Sequence, residues 1–143
     1  MDGQLQAVSL LEIVFIGIGT YYDVKEKSIP IAFLWAFAGV GSLANIFLQY
    51  QSARDAAWGA MIGVAVLFVG WFTKEAIGYG DGWIFVILGL LEGPFAVSLI
   101  MIEAFMLSAF WGAWKLVCLK QKRDSTMPFL PFLLIVLLGR FLL

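Results

Sequence analysis

The sequence predicts an all-α integral membrane protein with six transmembrane helices, of which the fourth is shortened. Of its 143 residues, 62% are hydrophobic and only 13% are charged, and its mean hydropathy is +0.95. A soluble domain carries about 25% charged residues, so this chain has too little charge to cover a water-exposed surface. A transmembrane helix needs about 20 apolar residues, and residues 1–143 have room for a single six-helix domain.

The first three predicted spans lie between clusters of charged residues. Leu5–Tyr22 has no lysine or arginine before it and no small-residue cleavage site, so we expect a retained helix rather than a secretory signal. Ile29–Leu48 follows a short charged loop, and Ala56–Phe72 is flanked by Asp55 and Lys74. Each segment is apolar over close to the length that crosses a membrane.

The last three predicted spans are separated by turn-forming and basic residues. Trp83–Leu91 covers about two and a half helical turns and ends at the turn signal Glu92-Gly93-Pro94. Phe95–Val117 follows that turn, and a basic loop separates it from Pro128–Leu143. The first N–H groups of a helix lack partners, so a proline is tolerated there, and Pro128 suits the start of the last helix.

The distribution of positive charge predicts the orientation of the chain. If the spans alternate in direction, the loops after the first, third and fifth spans share one side of the membrane. That side holds seven of the nine cationic residues, namely Lys25, Lys27, Lys74, Lys115, Lys120, Lys122 and Arg123. Lysine and arginine are enriched in cytoplasmic loops, so we expect that side to be cytoplasmic and the N-terminus to lie outside.

Composition excludes several classes of chemistry. The chain has no histidine and a single cysteine, Cys118, which excludes histidine-ligated zinc, Ser-His or Cys-His catalysis, and a disulfide scaffold. Nine lysine and arginine residues are offset by ten aspartate and glutamate residues, so no basic field is available for nucleic acid. We expect no metal and no cofactor, which leaves carboxyl, hydroxyl, amine and backbone groups for any chemistry.

Two aspartates occupy positions that suit catalysis. Asp23 ends the first predicted span, and Asp81 lies in the stretch Gly78-Tyr79-Gly80-Asp81-Gly82 before the fourth. The alternation of spans places both on the cytoplasmic side. Two carboxyl groups held close share one proton, so one can take a proton from water while the other donates to a peptide carbonyl oxygen. The pair suits hydrolysis of a peptide bond, with the acid and base roles unassigned.

Four further acidic residues have both a structural and a functional interpretation. Glu12 and Glu103 fall inside predicted spans, where a protonated glutamate hydrogen-bonded to a neighbouring helix is a sufficient structural explanation. Glu12 precedes Asp23 by eleven residues, about three helical turns, so both are expected on one helix face. Glu26 and Glu75 flank the two aspartates and are either solvated charges or an attraction for a basic ligand.

Three motifs follow one another in a fixed order along the chain. Asp23 is followed by Ile29-Pro30, then by Gly78-Tyr79-Gly80-Asp81, and near the C-terminus by Pro128-Phe129-Leu130-Pro131-Phe132. Together with Trp58-Gly59-Ala60-Met61-Ile62-Gly63 at the start of the third span, this order resembles the type IV prepilin peptidases, which are polytopic aspartyl proteases. The resemblance covers nearly the whole chain.

The resemblance implies a membrane-embedded aspartyl endopeptidase with Asp23 and Asp81 as its catalytic residues. Such enzymes act at the cytoplasmic face of a prokaryotic plasma membrane and remove the short leader of pilins, pseudopilins or archaellins. The implied partners are membrane lipid and a prepilin-like protein with a basic leader and an apolar helix, and Glu26 and Glu75 become candidates for binding that leader. The residues implied to support the motifs are Gly78, Gly80, Pro30, Pro128 and Pro131.

The sequence also departs from the pattern of that family. Trp83 stands where many members have a lysine, Ile31 stands where an asparagine often follows Ile-Pro, and Leu130 replaces a glycine. The larger members, which also N-methylate the trimmed pilin, carry paired Cys-x-x-Cys motifs, whereas this chain has one cysteine. We therefore expect a peptidase-only form without methyltransferase activity.

Two other functions are compatible with the same residues. Glu12, Asp23, Asp81 and Glu103 also suit the ion or proton path of a small membrane transporter subunit, which predicts flux without proteolysis. A non-catalytic scaffold for pilus assembly predicts that Asp23→Asn and Asp81→Asn variants stay functional. The motifs favour the protease, because a transporter does not explain Gly-x-Gly-Asp beside a truncated span. The particular substrate and the oligomeric state stay open.

Overall fold

The computed structural model describes residues 3–26, 29–49, 51–73, 79–118 and 129–142, which form five α-helices. In chain order these are α1 (Gly3–Glu26), α2 (Ile31–Leu48), α3 (Ala53–Phe72), α4 (Tyr79–Cys118) and α5 (Leu130–Leu142). The first three predicted spans correspond to α1, α2 and α3, and the predicted ends of the second and third coincide with the ends of α2 and α3.

The prediction of six transmembrane helices is wrong. Of the five described helices, four are long and apolar enough to cross a membrane, over residues 5–26, 31–48, 53–72 and 80–118. The predicted fourth and fifth spans belong to one 40-residue element, α4. The predicted sixth span contributes the 13 residues of α5, about 20 Å of helix, which is shorter than a hydrocarbon core of about 30 Å.

Helix α4 is divided into two arms at Gly93. This residue has φ 85° and ψ 174°, a non-helical conformation open to glycine, and Pro94 follows it without an N–H to continue the helix. The rings of Phe85 and Phe105 lie 5.8 Å apart, whereas a straight helix would separate them by about 30 Å. The arms 79–92 and 94–118 therefore fold back on each other.

Glycines bring α3 into backbone contact with the first arm of α4. A methyl group added to Gly59 would collide with the carbonyl of Gly89, and one added to Gly63 would collide with the backbone of Val86. Small residues allow this close approach of membrane helices, where van der Waals packing drives association. Gly59 and Gly63 therefore form the contact between α3 and the helix that carries Asp81.

We expect the variant Gly63→Ala to be less stable than the parent by about 1–3 kcal/mol, because the added methyl group forces two packed backbones apart. Thermal unfolding in detergent measures this difference. Gly17→Ala in α1 is the matched control, since nothing lies within 4 Å of the added methyl group there. Equal unfolding temperatures for the two variants would contradict the proposed contact.

The core packs one face of α1 against α5 and α4. Ile16, Phe85, Leu88 and Leu133 belong to a single buried cluster within the described residues. Helix α2 lies at the periphery, because only 11% of its candidate span is buried compared with 50% for α4. Helices α1, α4 and α5, whose ends meet at the site described next, thus share this core.

Candidate active site

The carboxyl groups of Asp23 and Asp81 lie together at one end of the bundle. Asp23 is in the last turn of α1 and Asp81 is in the first turn of α4. Both side chains are half-buried, and they are close enough for the charge of Asp23 to act directly on Asp81. Residues 58 positions apart in the sequence are therefore brought together by the meeting of two helix ends.

The start of α5 is directed at Asp23. The backbone N–H of Leu130 donates a hydrogen bond to Oδ2 of Asp23 with a donor–acceptor distance of 3.2 Å, and the backbone N–H of Phe129 lies next to the same carboxyl group. The first N–H groups of a helix have no partner within it and carry partial positive charge. Asp23 thus satisfies the N-terminus of α5, and α5 orients Asp23.

Two features of the sequence place these N–H groups. Pro131 lies in the first turn of α5, where its missing N–H is tolerated, and the N–H of Phe132 donates to the carbonyl of Phe129 at 3.0 Å. The ring of Phe129 packs against Phe105 and Phe85, with centroids 5.1 and 5.8 Å away. This aromatic packing anchors the backbone that faces Asp23.

Glycines on either side of Asp81 allow α4 to begin in a crowded position. A methyl group on Gly80 would lie 3.1 Å from Cδ1 of Ile29, just before α2. A methyl group on Gly82 would lie 2.5 Å from Cδ2 of Leu67 in α3. Gly80 and Gly82 therefore allow Asp81 to fit between the start of α2 and α3.

The structure describes some of the remaining residues predicted from the sequence and not others. Pro30 precedes α2 as its N-terminal cap, with φ −61° and ψ 138°. Glu26 is exposed at the end of α1. Gly78, Glu75 and Pro128 lie outside the described residues. Across the described ranges, no three carboxylate or cysteine side chains are grouped in a way that could hold a metal ion.

Sequence reasoning missed two parts of this arrangement. It did not identify the N–H group of Leu130 as a donor to Asp23, although the Pro-x-x-Pro pattern around it pointed to a helix start. It also did not identify the neighbours of Glu12, which are Glu92 and Arg140. No sequence signal connects those positions, because each lies on a different helix.

The apolar helices and the paired carboxyl groups at one end of the bundle define a multi-pass membrane protein with an acidic site. The chain belongs to the type IV leader peptidase family, whose sequence profile matches residues 10–113. The matched region includes both Asp23 and Asp81.

Curated relatives carry the name prepilin leader peptidase/N-methyltransferase. The protein from Stutzerimonas stutzeri is 29% identical over 119 residues, which are 79% of this chain and 41% of the relative. The protein from Aeromonas hydrophila is 28% identical over 139 residues, which are 90% of this chain and 46% of the relative. This chain thus spans less than half the length of these relatives, and no solved structure matches it.

Proposed function

We propose that this chain is a membrane-embedded aspartyl endopeptidase that removes the short N-terminal leader from type IV prepilin-like precursors. The observation that carries the proposal is that Asp23, in the last turn of α1, and Asp81, in the first turn of α4, lie near enough for the charge of one to act on the other. Membership of the leader peptidase family supports the same function, because the matched residues 10–113 contain this pair. Among the charged groups of the described residues, this pair most resembles the acid–base partners that peptide hydrolysis requires.

In the proposed mechanism, the two aspartates have different roles. Asp23 accepts a hydrogen bond from the backbone N–H of Leu130 at the start of α5, and hydrogen-bond donors suit a carboxylate that takes a proton from the attacking water. Asp81 receives no hydrogen bond from any described residue, and we assign to it the proton that is donated to the scissile carbonyl oxygen. A proton then passes to the leaving amine, and the pair returns to its starting state.

The proposed location of cleavage is the cytoplasmic face of a prokaryotic plasma membrane. Asp23 and Asp81 lie at the end of the bundle where α1 ends and α4 begins, next to Lys25. The loops on this side carry most of the positive charge of the chain, which favours a cytoplasmic position.

The transporter alternative is less well supported by the positions of the acidic residues. Glu12 and Glu103 both lie near Arg140 in α5, whereas Asp23 lies near Leu130 at the other end of that helix. Ten residues of helix separate these two groups by about 15 Å. The four acidic side chains therefore form two clusters rather than one path.

A cleavage assay tests the proposed function. The purified protein is mixed in lipid nanodiscs with a prepilin-like precursor that has a basic leader, and the products are identified by mass spectrometry. We expect one cut at the junction between the leader and the apolar helix. A folded protein that leaves a panel of such precursors intact, while carrying ions across vesicles, would overturn the proposal.

We expect Glu26→Gln to raise KM for a precursor with a basic leader by about two- to fivefold at low salt and to leave kcat unchanged. Glu26 is exposed, and a single exposed charge contributes at most about 1 kcal/mol to such an attraction. Steady-state cleavage kinetics measure the change. The matched control is a precursor whose leader lysines are replaced by glutamine. If the parent and Glu26→Gln differ in KM for this neutral leader as much as they do for the basic one, Glu26 does not attract the leader by charge.

A further inference from the structure

A second polar cluster lines a cavity at the opposite end of the bundle from the two aspartates. The cavity has a volume of about 450 Å³, and its polar lining consists of Ser9, Glu12, Gln51, Glu92 and Arg140. These residues come from α1, the α2–α3 connection, the end of the first arm of α4, and the end of α5. The volume lies in the range of pockets that hold small ligands.

Glu12 is the unusual member of this cluster. Its side chain is only 1% exposed, and its Oε1 atom accepts no hydrogen bond from the residues that the structure describes. Glu92 lies within hydrogen-bonding reach of Glu12 but leaves this oxygen without a donor. A buried oxygen without a donor is unfavourable, so a ligand that donates a hydrogen bond to Oε1 of Glu12 would be stabilised in this cavity.

The charges around the cavity favour a cationic donor. Arg140 acts on Glu12 by charge, but its guanidinium also lies 3.9 Å from the carboxylate of Glu103. The cavity lining itself therefore holds two carboxyl groups, those of Glu12 and Glu92, and one guanidinium. A ligand with one positive group would offset the acidic excess and supply the missing donor.

The polar groups that line the cavity favour a primary ammonium group among the possible cations. A primary ammonium group has three N–H donors, and the carboxylate of Glu12, the amide of Gln51 and the hydroxyl of Ser9 provide acceptors in the same cavity. Arg140 offers a partner for an adjacent phosphate. Leu5 and Phe141 also line the cavity and provide an apolar surface for the part of a lipid that follows its headgroup.

We propose that this cavity binds a primary ammonium group linked to a phosphate, the chemistry of an aminophospholipid headgroup. The ammonium group lies against Glu12, and the phosphate lies against Arg140. The site is separate from the aspartate pair, and its occupancy does not depend on peptidase activity. Bound lipid of this kind ties the N-terminal half of α1, the end of the first arm of α4 and the end of α5 together on the side opposite to the aspartates.

Native mass spectrometry on protein released from nanodiscs tests this proposal. Nanodiscs that contain equal amounts of phosphatidylethanolamine and phosphatidylcholine offer the two headgroups in competition, and the trimethylammonium group of phosphatidylcholine has no N–H donor. We expect the parent to retain phosphatidylethanolamine with about a tenfold preference, because a hydrogen bond to a charged group contributes about 1.5 kcal/mol or more.

Two variants separate a binding role for Glu12 from a general effect on the fold. Glu12→Gln keeps the size of the side chain but removes its charge, and we expect the lipid preference to fall to within about twofold. Glu103→Gln removes an exposed carboxyl group on the other side of Arg140, and we expect the preference to persist. Circular dichroism in phosphatidylcholine nanodiscs checks that both variants are folded.

A second arm of the experiment distinguishes a lipid from a free amine. Soluble O-phosphoethanolamine is added to protein in phosphatidylcholine nanodiscs, and the unfolding temperature is measured. A rise for the parent that is absent in Glu12→Gln, without any lipid preference, would assign the ammonium site to a soluble ligand. No lipid preference and no rise in unfolding temperature would overturn the proposal.

Discussion

Replacing Asp81 by asparagine is expected to abolish proteolysis while the protein stays folded. Asparagine has nearly the same shape as aspartic acid but cannot deliver the proton that the scissile carbonyl oxygen needs. Loss of a general acid or base lowers the rate by about 10²–10⁴-fold, and Asp23→Asn is expected to act equally strongly. The rate of leader removal, followed by mass spectrometry over a range of enzyme concentrations, measures the effect.

Asp55→Asn is the matched control for both variants. Asp55 lies exposed in the first turn of α3, where its backbone N–H donates to the hydroxyl of Ser52 at 3.2 Å, and this turn is at the other end of α3 from the aspartate pair. We expect Asp55→Asn to cleave at the parental rate. Cleavage at the leader junction that persists in Asp81→Asn would show that the aspartate pair is not the catalytic machinery.

The second large effect is expected from Leu130→Pro, which removes the N–H group that donates to Asp23. Leu130 is the first residue of α5, a position where proline is compatible with the helix. A hydrogen bond to a charged group contributes about 1.5–3 kcal/mol, so its loss is expected to lower kcat by about tenfold to a hundredfold. Single-turnover cleavage by saturating enzyme measures this step without interference from product release.

Leu130→Ala separates the hydrogen bond from the packing of the side chain. The leucine is fully buried, so both variants lose its apolar contacts, but only the proline variant loses the donor to Asp23. We expect Leu130→Ala to unfold at a lower temperature than the parent and to keep most of its activity when folded. Equal rates for the two variants would mean that the N–H of Leu130 does not assist Asp23.

The helices that the sequence predicts best are those with clear chemical boundaries. Helix α3 begins after Ser52, whose hydroxyl caps it, and α2 begins after Pro30; the predicted starts, Ala56 and Ile29, lie three and two residues from the observed ones. The predicted number of transmembrane helices was wrong because the last apolar segment forms a helix of only 13 residues. The apolar character of a segment does not give the length of the helix that it forms. Glu92-Gly93-Pro94 correctly indicated a break, but the φ of Gly93 and the contact between Phe85 and Phe105 are properties of the folded chain.

The candidate site was likewise predictable only where its residues lie in local sequence motifs, and not where it depends on contacts between residues far apart in the chain. Asp23 and Asp81 were predicted as a pair because each lies in a recognisable local motif and because the charge pattern assigns both to one side. The donation by Leu130 to Asp23 was not predictable, since it joins residues 107 positions apart and uses a backbone group that every residue possesses. The neighbours of Glu12 were missed because helix packing, rather than spacing in the sequence, brings Glu92 and Arg140 beside it.

The dependence of Asp23 on α5 has a consequence for the order of events during synthesis. Asp23 leaves the ribosome 107 residues before its partner Leu130, which at about 5–20 residues per second takes several seconds. Asp81 follows Asp23 by 58 residues and precedes Leu130 by 49 residues, so in the last part of that interval both aspartates are present while Asp23 lacks its N–H donor. Under the proposed function, a newly inserted chain is therefore expected to be silent as a protease until α5 has been synthesised and has packed beside α1.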